Sequence, residues 1–86
     1  MRYWQPKLRS VRRGEWIMFD DTIRIAIIRE VEAGTPAEPM LLAETWAAEP
    51  AERCFIGYFP VDRLRLAADV VWTEYRRETE GASGGA

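Results

Sequence analysis

The sequence has few of the side chains on which enzymatic mechanisms depend. It contains no histidine, one lysine, one glutamine, two serines and one cysteine, Cys54, in 86 residues. Without histidine, a serine or cysteine nucleophile has no imidazole base. A single cysteine also excludes an internal disulfide and would leave a zinc site to one thiolate and carboxylates. We therefore expect a non-enzymatic protein of a reducing compartment, with no metal and no cofactor.

Long apolar runs are absent as well. No stretch approaches the ~20 apolar residues of a membrane span. The N-terminus has no apolar segment of the kind found in secretory signal peptides. The sequence therefore predicts a cytoplasmic protein with no membrane partner.

The two features closest to reactive chemistry have structural interpretations. Asp20 and Asp21 are adjacent carboxylates between two strand-like runs, a position where aspartate typically shapes a tight turn. Cys54 lies within an apolar strand-like run, where a thiol usually packs as an inert core residue. The glycines form no strand-to-helix cluster of the kind that binds phosphate. None of these patterns indicates a catalytic residue.

The most informative pattern is a change of hydrophobic period at Pro60. Before this residue, short apolar and β-branched runs alternate with turn residues; after it, apolar residues recur at helical spacing. Short connections between the runs favour an antiparallel meander. The predicted strands are 15–19, 22–32, 40–47 and 53–59. The expected fold is α+β, a four-stranded antiparallel β-meander with one C-terminal α-helix packed on the sheet.

The second predicted strand breaks its own alternation. By period 2, Ile23, Ile25 and Ile27 share one face, but Ile28 follows directly. This break indicates either apolar cover on both faces or a bulge near Arg29. We favour partial cover on both faces.

Composition divides the chain into three parts. Residues 1–13 are basic, contain Pro6 and predict an extended N-terminal arm. Residues 14–80 form a single α+β domain, because a chain of this length has room for one core. Residues 81–86 contain only Gly, Ala and Ser and predict a disordered tail.

A second interpretation of the segment after Pro60 gives a different fold. If residues 61–66 form a fifth strand, Asp62, Leu64 and Leu66 share a face and the helix starts near Ala67. That arrangement resembles an SH3-like small barrel with a C-terminal helix. We rank it second, because short apolar strands and turns occur in any small meander.

The predicted helix has an apolar face and two apolar residues away from it. At 100° per residue, one broad sector is expected to pack on the sheet; it holds Val61, Leu64, Ala67, Ala68, Val71, Trp72 and Tyr75. Leu66 and Val70 lie one turn apart on the opposite sector, near Arg77. Apolar residues on a wet face indicate a contact surface. We expect Leu66, Val70 and Arg77 to form a protein interface, used for a homodimer or for docking on another protein as a regulatory or inhibitory subunit.

Charge is unevenly distributed along the chain and supports an alternative function. Residues 1–29 carry seven basic and three acidic side chains, whereas residues 30–59 carry one basic and six acidic. Basic segments interleaved with aromatic residues are typical of nucleic-acid contacts. The alternative is therefore nucleic-acid binding by the N-terminal arm and the Arg-bearing sheet face, through Arg9, Arg12, Arg13 and Arg24. The net charge of −2 favours a protein partner.

A short segment resembles a known DNA-binding family. The run Phe55-Ile56-Gly57-Tyr58-Phe59, followed by a helix with Ala67, Ala68 and Tyr75, resembles the last strand and helix of AP2-type domains. Domains of that family read DNA with a three-stranded sheet. The resemblance covers about a quarter of the chain, and the alanines and the tyrosine lie later relative to Gly57 than in the family. No residue role is transferred from it.

Overall fold

The computed structural model describes the backbone of residues 7–84 and the side chains of residues 7–79. This part of the chain forms an antiparallel sheet in the sequential order β1-β2-β3-β4-β5, followed by one helix. A 3₁₀ turn, Pro50–Glu52, precedes the last strand. The elements are β1 (Lys7–Arg12), β2 (Glu15–Asp20), β3 (Ile23–Ala33), β4 (Glu38–Thr45), β5 (Phe55–Pro60) and α1 (Leu64–Gly84). The α+β class and the antiparallel meander with a C-terminal helix are confirmed, whereas the count of four strands is wrong.

The additional strand is β1, which lies inside the segment expected to be an extended arm. Its inner residue Leu8 has Met18 of β2 as its Cα partner and packs against the core. Gly14, at φ +76°, turns the chain from β1 into β2. The sequence Lys7–Arg12 shows little hydrophobic alternation, so pairing with β2 is what makes it a strand. Residues 1–6 of the expected arm lie outside the described residues.

A β-bulge in β3 determines which side chains share a face. Met18 is the Cα partner of Ala26, but Phe19 is the partner of Arg24, so Ile25 is an extra residue in the ladder. An extra residue reverses the alternation of the strand beyond it. As a result Ile25 packs in the core with Ala26, and Arg24 shares the opposite face with Phe19.

The bulge corrects the interpretation of the isoleucines. Ile25 and Ile28 belong to the core beneath the helix, whereas Ile27 pairs with Ile17 on the other side of the sheet. Ile23 is exposed. The expectation that Ile23, Ile25 and Ile27 share one face is therefore wrong, and the bulge lies at Ile25 rather than near Arg29. Cover on both faces is confirmed, because Ile27 and Ile28 are both buried.

A second bulge lies in β5. Ala43 pairs with Gly57, but Glu44 pairs with Phe55, so Ile56 is the extra residue. Ile56 packs against the core cluster on the helix side. Phe55 is consequently directed to the opposite side of the sheet.

The core lies between α1 and one face of the sheet, where α1 crosses β3, β4 and β5. On the helix, Ala67, Ala68 and Val71 are buried, and their small volume lets the helix approach the strands closely. The sheet contributes larger residues to the same cluster: Met18, Ile25, Ile28, Leu41 and Phe59. The apolar face predicted for the helix is thus confirmed in its centre.

The helix begins later than expected. Val61 and Asp62 form a turn after β5, and α1 starts at Leu64. The Arg63 N–H donates to the Pro60 carbonyl at 3.0 Å within this turn. Residues 61–66 therefore do not form the strand that the SH3-like alternative requires. The five-stranded sheet also differs from the three-stranded sheet of the AP2-type domains.

At its other end, α1 continues to Gly84, past residue 80 where the domain was expected to end. Residues 85 and 86 of the expected tail lie outside the described residues. Across the described part of the chain, no helix is long and apolar enough to cross a lipid bilayer.

Candidate functional site

The face of the sheet opposite α1 is called the open face here. Cross-strand partners lie on the same face of a sheet, so the registers assign its members. They include Lys7, Arg9 and Arg12 of β1, Glu15, Ile17 and Phe19 of β2, Arg24, Ile27, Arg29 and Val31 of β3, Met40, Leu42 and Glu44 of β4, and Phe55, Tyr58 and Pro60 of β5. Most of the apolar residues between them belong to the core beneath the helix or pack against it.

A row of alternating cationic and aromatic side chains crosses the open face. The Cζ atom of Arg24 lies 5.8 Å from the Phe19 ring centroid and 5.6 Å from that of Trp46. The Cζ atom of Arg53 lies 4.9 Å from the same Trp46 centroid. Lys7 extends the row at β1, because it is the Cα partner of Phe19. We call Lys7, Phe19, Arg24, Trp46 and Arg53 the cation–aromatic row.

The row is held by hydrogen bonds to the backbone where β4 leads towards β5. The Trp46 N–H donates to the Ile25 carbonyl at 3.0 Å. The Arg53 Nε donates to the Ala47 carbonyl at 2.8 Å. The Cys54 N–H donates to the Thr45 hydroxyl at 2.9 Å. These bonds fix the positions of Trp46 and Arg53 before any partner arrives.

Next to the row, two aromatic rings project from β5. Phe55 is 61% exposed and Tyr58 is 48% exposed. Their ring centroids are 5.2 Å apart and their planes are inclined by 58°. The bulge at Ile56 brings them together, because residues three apart in a regular strand would point to opposite faces. We call Phe55 and Tyr58 the aromatic pair.

Two carboxylates of the open face, Glu15 and Glu44, form ion pairs with arginines. Glu44 accepts a hydrogen bond from the Nη2 of Arg29 at 3.2 Å, and its side chain is only 15% exposed. The Oε1 of Glu15 forms an ion pair with the Nε of Arg12 at 3.5 Å. In contrast, Arg24 and Arg53 have aromatic rings as neighbours. The row thus carries the three cations Lys7, Arg24 and Arg53, although Arg24 also lines a groove with Glu74 and Glu78 of α1.

The structure separates the four arginines predicted to contact nucleic acid. Arg9 and Arg24 share the open face. Arg12 and Arg13 lie at the opposite end of β1, where Arg12 pairs with Glu15. Arg13 lines a cavity of about 490 Å³ together with Glu30 and Glu32, so acidic side chains surround that end.

The sequence did not point to the other members of the site. Lys7 lies on β1 and the aromatic pair on β5, whereas Trp46 follows β4 and Arg53 precedes β5; the strand register brings them together. The signal that was present is the aromatic content of 40–47 and 53–59. The bulge at Ile56, which orients Phe55, leaves no mark in the hydrophobic pattern.

The residues predicted to form a protein interface lie on α1. Leu66 is 44% exposed. Val70 is half-buried and packs against the core cluster. Arg77 is exposed and forms an ion pair with Glu74 at 3.2 Å. The exposed apolar surface of this predicted interface is thus carried by Leu66.

A groove lies between the second half of α1 and the ends of β3 and β5. Its volume is about 480 Å³, and its apolar lining includes Ile25, Ile56 and Val71. At its end the Tyr75 hydroxyl donates to a carboxylate oxygen of Asp20 at 2.8 Å. That hydrogen bond, together with desolvation and the Asp20 charge, raises the pKa of Tyr75. The bond joins the helix to the end of β2.

The remaining reactive groups are dispersed. Cys54 is exposed, so the expectation of a core thiol is wrong: the residue precedes β5 and is bonded to Thr45 through its backbone. Asp21 occupies the β2–β3 turn at φ +58°, and Asp20 faces Tyr75. Among the described side chains, no group of three or more His, Cys, Asp or Glu could hold a metal ion.

Comparisons with known proteins gave no relative: no family model, no curated protein and no solved structure matches the chain.

Proposed function

We propose that this protein is a non-enzymatic nucleic-acid-binding module and that the open face is its contact surface. The observation that supports this proposal is the cation–aromatic row. Neighbouring strands lie about 4.8 Å apart, so a row that crosses from β1 to β5 spans roughly 19 Å. A linear array of cations of this length suits a phosphate backbone, which supplies one negative charge per nucleotide.

The arrangement of the arginines also favours nucleic acid. Arg24 and Arg53 rest against Trp46, which orders their guanidinium groups while leaving N–H donors for phosphate. The acidic side chains that give the chain its negative total include Glu30 and Glu32, at the end of the sheet away from the row. The three cations of the row are therefore available to a polyanion without those two glutamates between them.

The test is the binding of fluorescein-labelled oligonucleotides by fluorescence anisotropy at low and moderate salt. We expect affinity to fall with salt, and Arg24→Ala to reduce the salt slope by about one phosphate contact. The matched control is Arg65→Ala, an exposed arginine on α1 that pairs with Asp69 and should behave as wild type. If no nucleic acid binds at low salt, the proposal is wrong.

A second candidate is self-association through the helix, which the exposure of Leu66 favours. The test is light scattering coupled to size exclusion on wild type and Leu66→Asp. A dimer that the variant reduces to a monomer would support a protein interface at Leu66, Val70 and Arg77. A wild-type monomer would exclude a homodimer. Leu66→Asp is preferred to a change at Val70, because Val70 packs against the core.

A further inference from the structure

We infer that the open face selects single-stranded nucleic acid and stacks bases on the aromatic pair. This inference rests on the proposed function, because it concerns which form of nucleic acid the same surface takes. The observations behind it are the exposure of Phe55 and Tyr58 and their position beside the cation–aromatic row.

The exposure of the aromatic pair has no explanation within the described fold. Phe55 and Tyr58 touch each other on β5, while the core cluster beneath α1 lies on the opposite face. Large rings held in place by a bulge, with more than half of Phe55 in solvent, provide surfaces for planar ligands. Bases offer such planar surfaces whatever their identity, and stacking on aromatic side chains is the usual contact of single strands.

The distance between the row and the pair fits a nucleotide. Arg53 and Phe55 are separated by one residue, and Trp46 and Glu44, the Cα partner of Phe55, are also separated by one. Two residues of extended chain span about 6.6 Å. A phosphate bound at Arg53 would therefore have its own base within reach of the Phe55 ring. The row supplies charge, and the pair supplies stacking.

A duplex would use only half of this site. Its bases are stacked on each other, so their planes are covered and cannot stack on Phe55 or Tyr58. A duplex can still contact the cations of the row through its phosphates. It would leave the aromatic pair unused.

The experiment compares labelled oligonucleotides of about 12 residues, one single-stranded and one duplex, by anisotropy against wild type, Tyr58→Leu, Tyr58→Phe and Phe55→Leu. We expect the single strand to bind more tightly than the duplex. Stacking energies of about 1–3 kcal/mol per base convert to a loss of about 5- to 140-fold for each leucine variant. The salt slope should stay unchanged, because no phosphate contact is removed. Tyr58→Phe should retain the wild-type affinity.

The control is Leu66→Ala, which removes exposed apolar surface from α1 and should leave binding unchanged. Because Phe55 and Tyr58 are exposed, the leucine variants are expected to melt within a few degrees of wild type, and circular dichroism checks this. If one variant fails to fold, the other, with Tyr58→Phe as its reference, decides the matter.

The experiment distinguishes failure of the inference from failure of the proposed function. If duplex binds as tightly as single strand and the leucine variants bind normally, the inference is wrong and the proposed function stands. If neither form binds at low salt, the proposed function and the inference both fail. An acidic protein or peptide that binds the open face while nucleic acid does not would assign the row to a protein partner.

Discussion

Arg24 of β3 and Trp46, the residue after β4, are in contact across the open face, with the guanidinium carbon 5.6 Å from the ring centroid. This contact depends on the bulge at Ile25. Without the extra residue, Arg24 would point towards α1, and the row would lose its central cation. The contact therefore links an irregularity of the ladder to the chemistry of the surface.

The ion pair between Arg29 and Glu44 predicts a variant with raised affinity for oligonucleotides. Removing an arginine of the row should have the opposite effect. We expect Glu44→Gln to increase affinity for oligonucleotides about two- to fivefold, because it removes a negative charge beside the phosphate path and frees Arg29. The measurement is anisotropy at low salt. The matched control is Asp69→Asn on α1, which also removes a carboxylate paired with an arginine. An unchanged affinity in Glu44→Gln would place the ligand elsewhere.

The core beneath α1 predicts that truncating two different leucines will change the free energy of unfolding by very different amounts. Leu41 is fully buried, so Leu41→Ala should lower the free energy of unfolding by about 2–5 kcal/mol. Leu66→Ala should cost less than about 0.5 kcal/mol, since the residue is exposed and lies outside the core cluster. Urea denaturation measures both. A large loss in Leu66→Ala would show that Leu66 is part of the core.

These predictions draw on features that the sequence reveals to different degrees. The switch of period at Pro60 was sufficient for the meander and the C-terminal helix, because burial of one strand face or helix stripe imposes that period. The strand β1 was not recognisable, since Leu8 supplies its main apolar contact to the core. Its stability depends on pairing with β2, which is a tertiary effect.

The site was less predictable than the fold. Arg24 was among the predicted nucleic-acid contacts, but its neighbours Phe19 and Trp46 are distant in sequence and meet it only through the register. A shift of one residue exchanges the two faces of a strand. The bulges at Ile25 and Ile56 are such shifts. The broken alternation of the second strand allowed a bulge but not its position, and Ile56 gave no sign of one.

The Tyr75–Asp20 hydrogen bond predicts that the fold loses stability at alkaline pH. The pKa of Tyr75 is raised by this bond, by desolvation and by the Asp20 charge. The bond therefore stabilises the fold fully below the ordinary tyrosine pKa of about 10 and is lost as pH rises through the raised value. Urea unfolding between neutral and strongly alkaline pH measures the loss.

We expect Tyr75→Phe to be less stable than wild type at neutral pH and to lose less stability in alkali. Tyr58→Phe is the control, because the Tyr58 hydroxyl lies on the open face and should leave the alkaline loss in place. Equal alkaline loss in wild type and Tyr75→Phe would contradict the assignment.

The turn between β1 and β2 depends on Gly14. Its φ of +76° lies in the region that side chains disfavour, although an added Cβ would meet Glu30 at an ordinary 3.5 Å. Gly14→Ala should therefore cost about 1 kcal/mol through the backbone and not through a clash. Thermal denaturation followed by circular dichroism would measure it. No loss of stability would mean that the turn adopts another conformation.

The most direct test of the open face as the binding surface is a two-dimensional ¹⁵N–¹H spectrum recorded while a single-stranded oligonucleotide is added. We expect the resonances of the Trp46 indole N–H and of the amides around Arg24, Phe55 and Tyr58 to shift. The resonances around Leu66 on α1 should stay in place. Shifts concentrated on α1, or no shifts at low salt, would contradict this expectation.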